Sequence, residues 1–171
     1  ENVMAKTDTP MVNLHLSPYK SNHPELSDDL SDRNSFQCVL ESASKELETV
    51  VRRFGKENVL VENPFPDTRS VPVNILPNLI TSLVESCDVG FLFDVSHSRL
   101  AARKLGISEM SYVMALPVDR TAEIHITGIR KIEGAYAEKL IEDRPKDFDI
   151  EDYLGKEIDN QSLSEDDFAF L

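Results

Sequence analysis

Four short apolar runs in this chain end on side chains that can bind metal or move protons. They are VNLHL with His15, NVLVEN with Glu62, GFLFDVSH with Asp94 and His97, and AEIHITG with His125. Imidazole and carboxylate together are the donor set of iron, manganese and zinc sites. Taken singly, each residue has an ordinary structural reading. His15 or His125 would be a satisfied core histidine, Glu62 a carboxylate bonded to loop amides, and Asp94 a helix cap. Taken together they obey one rule: a polar residue, in phase, at the C-terminal end of successive strands. That shared rule predicts a common site, because parallel strands aim their C-terminal residues at one mouth of the sheet. Asp94 and His97 are three apart across a strand-to-helix turn, so a single loop offers two groups. Glu123 shares a strand face with His125 and is read either as a carboxylate orienting that imidazole or as a partner of Arg120.

The elements that position these residues follow from periodicity. MVNLHL alternates, with Val12, Leu14 and Leu16 on one face and Asn13 and His15 on the other. A polar loop follows. Phe36, Val39, Leu40, Ala43, Leu47, Val50, Val51 and Phe54 then recur at helical spacing, with Asn34 or Ser35 as the expected cap and Gly55 beyond the end. A strand over 58–63 places Leu60 and Glu62 on one face and is stopped by Pro64. A helix starts near Pro77. In the strand over 89–95, Leu92 and Asp94 share a face. SRLAARKLG and EMSYVMAL read as helices, Arg99, Arg103 and Lys104 as a solvated basic face, and 121–127 as a fourth strand. Short helices are expected at IEDYLGK and SEDDFAFL. Alternating strands and helices predict a parallel sheet with right-handed crossovers. The expected fold is α/β, a TIM-type (β/α) barrel that is partial, with about four βα units. Residues 1–171 are read as one domain ending in an acidic, mostly helical tail over 141–171. Four units cannot close an eight-stranded barrel, so the chain reads as a fragment or as one that pairs with a second copy or a partner subunit.

Charge narrows the function classes. The net charge is −13. Residues 141–171 hold eleven Asp or Glu against three Lys or Arg, a net of −8, which leaves −5 for the first 140 residues. Such a surface repels phosphate backbones and anionic membranes, so neither nucleic acid nor membrane is an expected partner. No apolar run approaches the roughly 20 residues that span a bilayer, and no signal peptide is visible. Cys38 and Cys87 have no close cysteine neighbour and are read as buried free thiols of a reducing cytoplasm. No glycine-rich phosphate loop is present, so a nucleotide cofactor has no support.

The run GFLFDVSHSRLAARKLGISEMSYVMALPVDRTAEIHITG resembles part of the multinuclear-iron TIM-barrel family of peptide-modifying proteins. That family includes a methanobactin-biosynthesis oxidase subunit and lies within the xylose-isomerase-like superfamily. VLVENPF is similar to the family's preceding strand, which ends in Glu-Asn, and VNLHLS to an earlier strand with an inward histidine. The resemblance covers about residues 11–130. It implies that His15, Glu62, Asp94 and His125 fall on metal-ligand positions, that iron is the expected metal with zinc or manganese next, and that a peptide or other small molecule is modified oxidatively. His97 replaces an amide of the family pattern. The resulting Asp-x-x-His is similar to the zinc or manganese isomerases and hydrolases of the same superfamily, which is the second reading. Ile129 stands where the family has a histidine, and no Asp-x-His follows. One or two metal ions are therefore expected rather than three, and a binding module without catalysis is the third reading.

Overall fold

The computed structural model describes residues 6–15, 18–143 and 153–171. They form two compact units, Glu1–His125 and Ile126–Leu171. The first unit contains β1 (Val12–His15), α1 (Arg33–Phe54), β2 (Val59–Glu62), α2 (Pro77–Cys87), β3 (Gly90–Asp94), α3 (Val95–Leu105), α4 (Glu109–Val113) and β4 (Thr121–His125). The four strands make one parallel sheet in the order β1-β2-β3-β4. This is the α/β alternation that the periodicity predicts, and each strand neighbours its successor.

Register decides what shares a face. His15 pairs with Glu62, Glu62 with Leu92, and Asp94 with His125. Because side chains alternate along a strand, His15, Glu62, Asp94 and His125 all project to one side. Leu60 and Leu92 share that side and are fully buried, forming the floor below the polar residues. Gly90 pairs with Leu60, and a Cβ there would stand 2.5 Å from Leu60 Cδ2. A side chain at Gly90 would therefore force the end of the Leu60 side chain to shift.

The other side of the sheet packs on helices. Val59, Val61 and Phe91 meet Leu47 of α1 and Ile80 and Val84 of α2. A second cluster joins Val39 and Ala43 of α1 to Leu79 and Leu83 of α2. Burying each Leu or Val in such a layer contributes about 1.5–3 kcal/mol. Tyr112 of α4 is buried, and its hydroxyl donates to the Ile75 carbonyl at 2.7 Å. Burial pushes the Tyr112 pKa well above that of a free phenol.

Several local expectations are corrected. Asp32, not Asn34 or Ser35, caps α1, its carboxylate accepting from Asn34 N and Ser35 N. Gly55 does follow α1, with φ 83. Arg99 is buried rather than solvated, with Nε 2.7 Å from Glu109 Oε2. Arg103 binds the other oxygen of Glu109 at 2.9 Å, so the basic face of α3 is tied to α4. Cys38 is exposed and Cys87 half-buried. Helical periodicity put both near apolar neighbours but could not show which face the packing would cover.

The second unit contains two strands as well as helices, where an acidic, mostly helical tail was expected over 141–171. β5 (Gly128–Lys131) and β6 (Glu157–Gln161) pair antiparallel, beside α5 (Gly134–Asp143) and α6 (Glu165–Phe170). Ile132 and Ala137 form its small core with Tyr136, Leu140, Tyr153 and Ile158. Of the IEDYLGK helix expected before β6, residues 150–152 lie outside the described residues, and Tyr153 to Lys156 form a short turn into β6. The helix expected at SEDDFAFL is present as α6, closed by a reciprocal Ser164–Asp167 capping box. Among the described residues no helix is long and apolar enough to cross a membrane.

Candidate metal centre

Each strand delivers its last residue to the same place. Glu62 and Asp94 come from the central strands and are almost fully buried, as is His97 in the first turn of α3. His15 and His125 come from the outer strands and keep 50% and 39% of their side-chain exposure. The result is a buried pair of carboxylates flanked by half-open imidazoles.

Among the described residues two groups could each hold a metal ion: His15, Glu62 and His97, and Glu62, Asp94 and His125. In each, the potential ligand atoms lie within 4.8 Å of one another. Glu62 belongs to both. Its Oε2 contacts His15 Nε2, while its Oε1 stands 3.5 Å from His97 Nδ1 and 3.9 Å from His125 Nδ1. Asp94 Oδ2 is 3.9 Å from His125 Nδ1 and 4.0 Å from His97 Nε2. The other oxygen, Oδ1, accepts from His97 N at 2.9 Å and from Ser96 Oγ at 2.6 Å. Asp94 is thus the helix cap and a site carboxylate at once; the two readings of it are compatible.

Neighbouring acceptors set the tautomers. His97 Nδ1 lies 2.8 Å from the Asn63 carbonyl. A carbonyl only accepts, so Nδ1 carries the proton and Nε2 presents its lone pair toward Asp94. His125 Nε2 lies 3.0 Å from Glu123 Oε1, which likewise places the proton on Nε2 and the lone pair on Nδ1, toward Glu62 and Asp94. Lone pairs facing carboxylate oxygens repel unless a cation stands between them. Bonds of about 2.1 Å to a tetrahedral ion put ligand atoms about 3.4 Å apart, and the lone-pair nitrogens stand 3.9–4.0 Å from the carboxylate oxygens of Glu62 and Asp94. The donor set, its spacing and its buried negative charge therefore fit a metal cation.

Asn63 was not singled out from sequence. It is fully buried, and its side chain closes both backbone groups of Asp94: Oδ1 accepts from Asp94 N and Nδ2 donates to Asp94 O, each at 2.9 Å. Nδ2 also donates to Ser98 Oγ at 2.9 Å. One residue thereby locks the ends of β2 and β3 together and, through its own carbonyl, aims His97. Its signal in the sequence is an amide directly after a strand-end carboxylate and before the terminating Pro64. Glu123 takes the orienting role foreseen for it. The other role falls away, since Arg120 pairs with Asp88 at 2.9 Å. His23 is half-buried and lines a cavity with His15, but it belongs to neither metal-capable group.

Fold and site together define an α/β protein with a metal-capable cluster at the C-terminal mouth of a parallel sheet. A family model described as "RiPP precursor modification enzyme MbnB/TglH/ChrH" matches residues 1–147. The chain belongs to that family of peptide-modifying enzymes, in agreement with the resemblance seen in its strand-end motifs. No curated protein matches the chain, and no solved structure does.

Proposed function

We propose that this chain carries the catalytic metal centre of a peptide-modifying enzyme, with His15, Glu62, Asp94, His97 and His125 as the ligands. The observation that supports this most is the pair of metal-capable groups sharing the buried carboxylate of Glu62. Iron is the metal of choice for this mixed imidazole–carboxylate set, and zinc or manganese come next. When bound, such an ion would polarise the substrate as a Lewis acid and, if iron, would exchange electrons in an oxidative modification.

The chain's own residues do the rest. Glu62 belongs to both groups and faces them with both oxygens, Oε2 toward His15 and Oε1 toward His97 and His125. Asn63 and Glu123 fix which nitrogen of His97 and of His125 is free of a proton. The half-exposed rings of His15 and His125 leave the side of approach for a substrate, while Leu60 and Leu92 close the floor against water. The four βα units are read as consecutive units of a TIM-type barrel. Nearest-neighbour parallel order and one-sided helix cover support this.

The second reading, zinc or manganese chemistry of the isomerase or hydrolase kind, is favoured by the burial of His97 beside Asp94 in DVSH. Elemental analysis of protein purified without added metal, with optical and EPR spectra taken anaerobically and after air, tests both. Iron with an oxygen-sensitive spectrum is the expected result. Zinc with a featureless spectrum moves the assignment to the second reading, and absence of any stoichiometric metal overturns both.

A further inference from the structure

The proposed centre leaves open how a peptide is held beside it. His15 stands between two cavities, of about 240 and about 260 Å³, both also bounded by Tyr19. The larger lies between the loop after β1 and the loop after β2. Its wall is stitched by backbone: Val71 N donates to Pro18 O and Lys20 N to Arg69 O, each at 2.9 Å, and Tyr19 and Ser70 form an antiparallel bridge. Phe65 lines this cavity and stands edge-on to the His97 ring, centroids 5.8 Å apart. The cavity therefore abuts one of the proposed ligand imidazoles, His15, and reaches a second, His97, only through Phe65.

Two polar groups border it. Ser70 is 1% exposed, and among the described residues its hydroxyl has no hydrogen-bond partner. A buried hydroxyl left unpaired costs about 1–3 kcal/mol, a cost that an entering hydrogen-bonding group would remove. Asp67 is a charged group already answered: Arg69 donates to its carboxylate from Nε and Nη2 at 2.7–3.2 Å, and from its backbone N–H at 2.9 Å. These bonds, the Arg69 side chain's first, hold the Asp67 pKa below the usual carboxylate value. A cation entering here would find that charge already paired. Aromatic walls and one unsatisfied hydroxyl select a small, neutral, hydrogen-bonding group.

We propose that the cavity bounded by Tyr19, Phe65, Asp67 and Ser70 is a subsite for the peptide substrate, seating a neutral hydroxyl- or amide-bearing side chain next to the reacting residue through Ser70 Oγ. The proposal rests on the peptide-modifying reading above but needs neither metal nor turnover to be tested. The ¹⁵N-labelled chain is titrated with the N-acetyl methylamides of serine, asparagine, valine and lysine, with backbone amide shifts of Tyr19, Asp67 and Ser70 as the readout. Serine and asparagine probes are expected to move these amides and to bind about tenfold tighter than valine and lysine probes, the effect of one hydrogen bond. Ser70→Ala should remove that preference while leaving Tm equal or higher, because it deletes an unsatisfied group. Equal affinities for the four probes, shifts confined elsewhere, or a preference unchanged in Ser70→Ala would each overturn the subsite. A lowered Tm in Ser70→Ala with unchanged probe affinity would mark the hydroxyl as structural and also overturn it. Probe binding in a protein that takes up no metal would keep the subsite and remove the metal assignment; metal uptake with no probe binding would do the reverse.

Discussion

The two ends of the parallel sheet treat carboxylates in opposite ways. At the N-terminal end, Asp88 precedes β3 and is exposed, held by Lys56 from before β2 and Arg120 from before β4. Three loops are tied by permanent charges in water, where screening leaves each pair worth little. At the C-terminal end, Glu62 and Asp94 are buried and face imidazoles whose lone pairs are turned toward them by Asn63 and Glu123. The first end spends its charges on joining elements. Among the described residues the second sets its two carboxylates against imidazoles instead of lysine or arginine, an arrangement shaped for a cation. In parallel α/β folds, stability and chemistry commonly divide between the two ends in this manner.

The largest test of this division is Glu62→Gln. Glu62 is common to both metal-capable groups, so the variant should lose most of its bound metal, at least about tenfold in affinity by chelator competition, against no change for a substitution of Asp88. In metal-free protein the variant should melt at the same temperature or higher, since one of two neighbouring buried carboxylates has been neutralised. Unchanged metal content would detach the C-terminal end from the role given to it.

Asn63→Ala should show the next effect, on stability rather than charge. It strips partners from Asp94 N, Asp94 O and Ser98 Oγ, all buried. A loss of about 3 kcal/mol follows from leaving such groups unpaired, or a Tm about 6–12 °C lower for a chain of this size. A loss under about 1 kcal/mol in urea melts would mean that water replaces the amide and that the β2–β3 lock is not rigid.

Asp88→Asn should have the smallest effect. Asp88 sits in the left-handed region at φ 50, which Asn also tolerates, so the change isolates the charge. Lys56 first, then Arg120, holds its pKa below the ordinary aspartate value of 3.8. A carboxylate whose folded pKa is depressed stabilises the fold above its unfolded pKa and loses that contribution as pH falls through the folded value. Wild type should therefore melt slightly above Asp88→Asn at pH 7 and low salt. The gap should close in high salt and again as pH falls below about 3.8. A gap that survives both would show that the N-terminal end is more than a screened surface network.

Much of the site was legible because a strand has a period of two. Once VNLHL, NVLVEN, GFLFDVSH and AEIHITG are strands, the parity of His15, Glu62, Asp94 and His125 follows, and parallel pairing sends them to one mouth. The heptad-like spacing of α1 and the Pro77 start of α2 were equally local facts and could be read directly. Family membership was legible for the same reason, since the motifs that carry it are those strand ends.

What tertiary structure alone decided is who meets whom across the chain. Nothing local to Asn63 says that its amide will close the backbone of Asp94, 31 residues away, and nothing in SRLAARKLG says that Arg99 will be buried against Glu109. Both depend on which helix face the sheet and the next helix cover. Nothing local to His97 says what will cover its ring; Phe65 stands edge-on to it and the Asn63 carbonyl meets its Nδ1. The strand at Glu157–Gln161 was hidden because its pairing partner, Gly128–Lys131, lies far back in sequence, and strand propensity is fixed by such partners more than by the residues themselves. Periodicity determines the face a residue occupies within its own element. Only packing determines what lies opposite that face, and so which of its polar atoms stay available for chemistry.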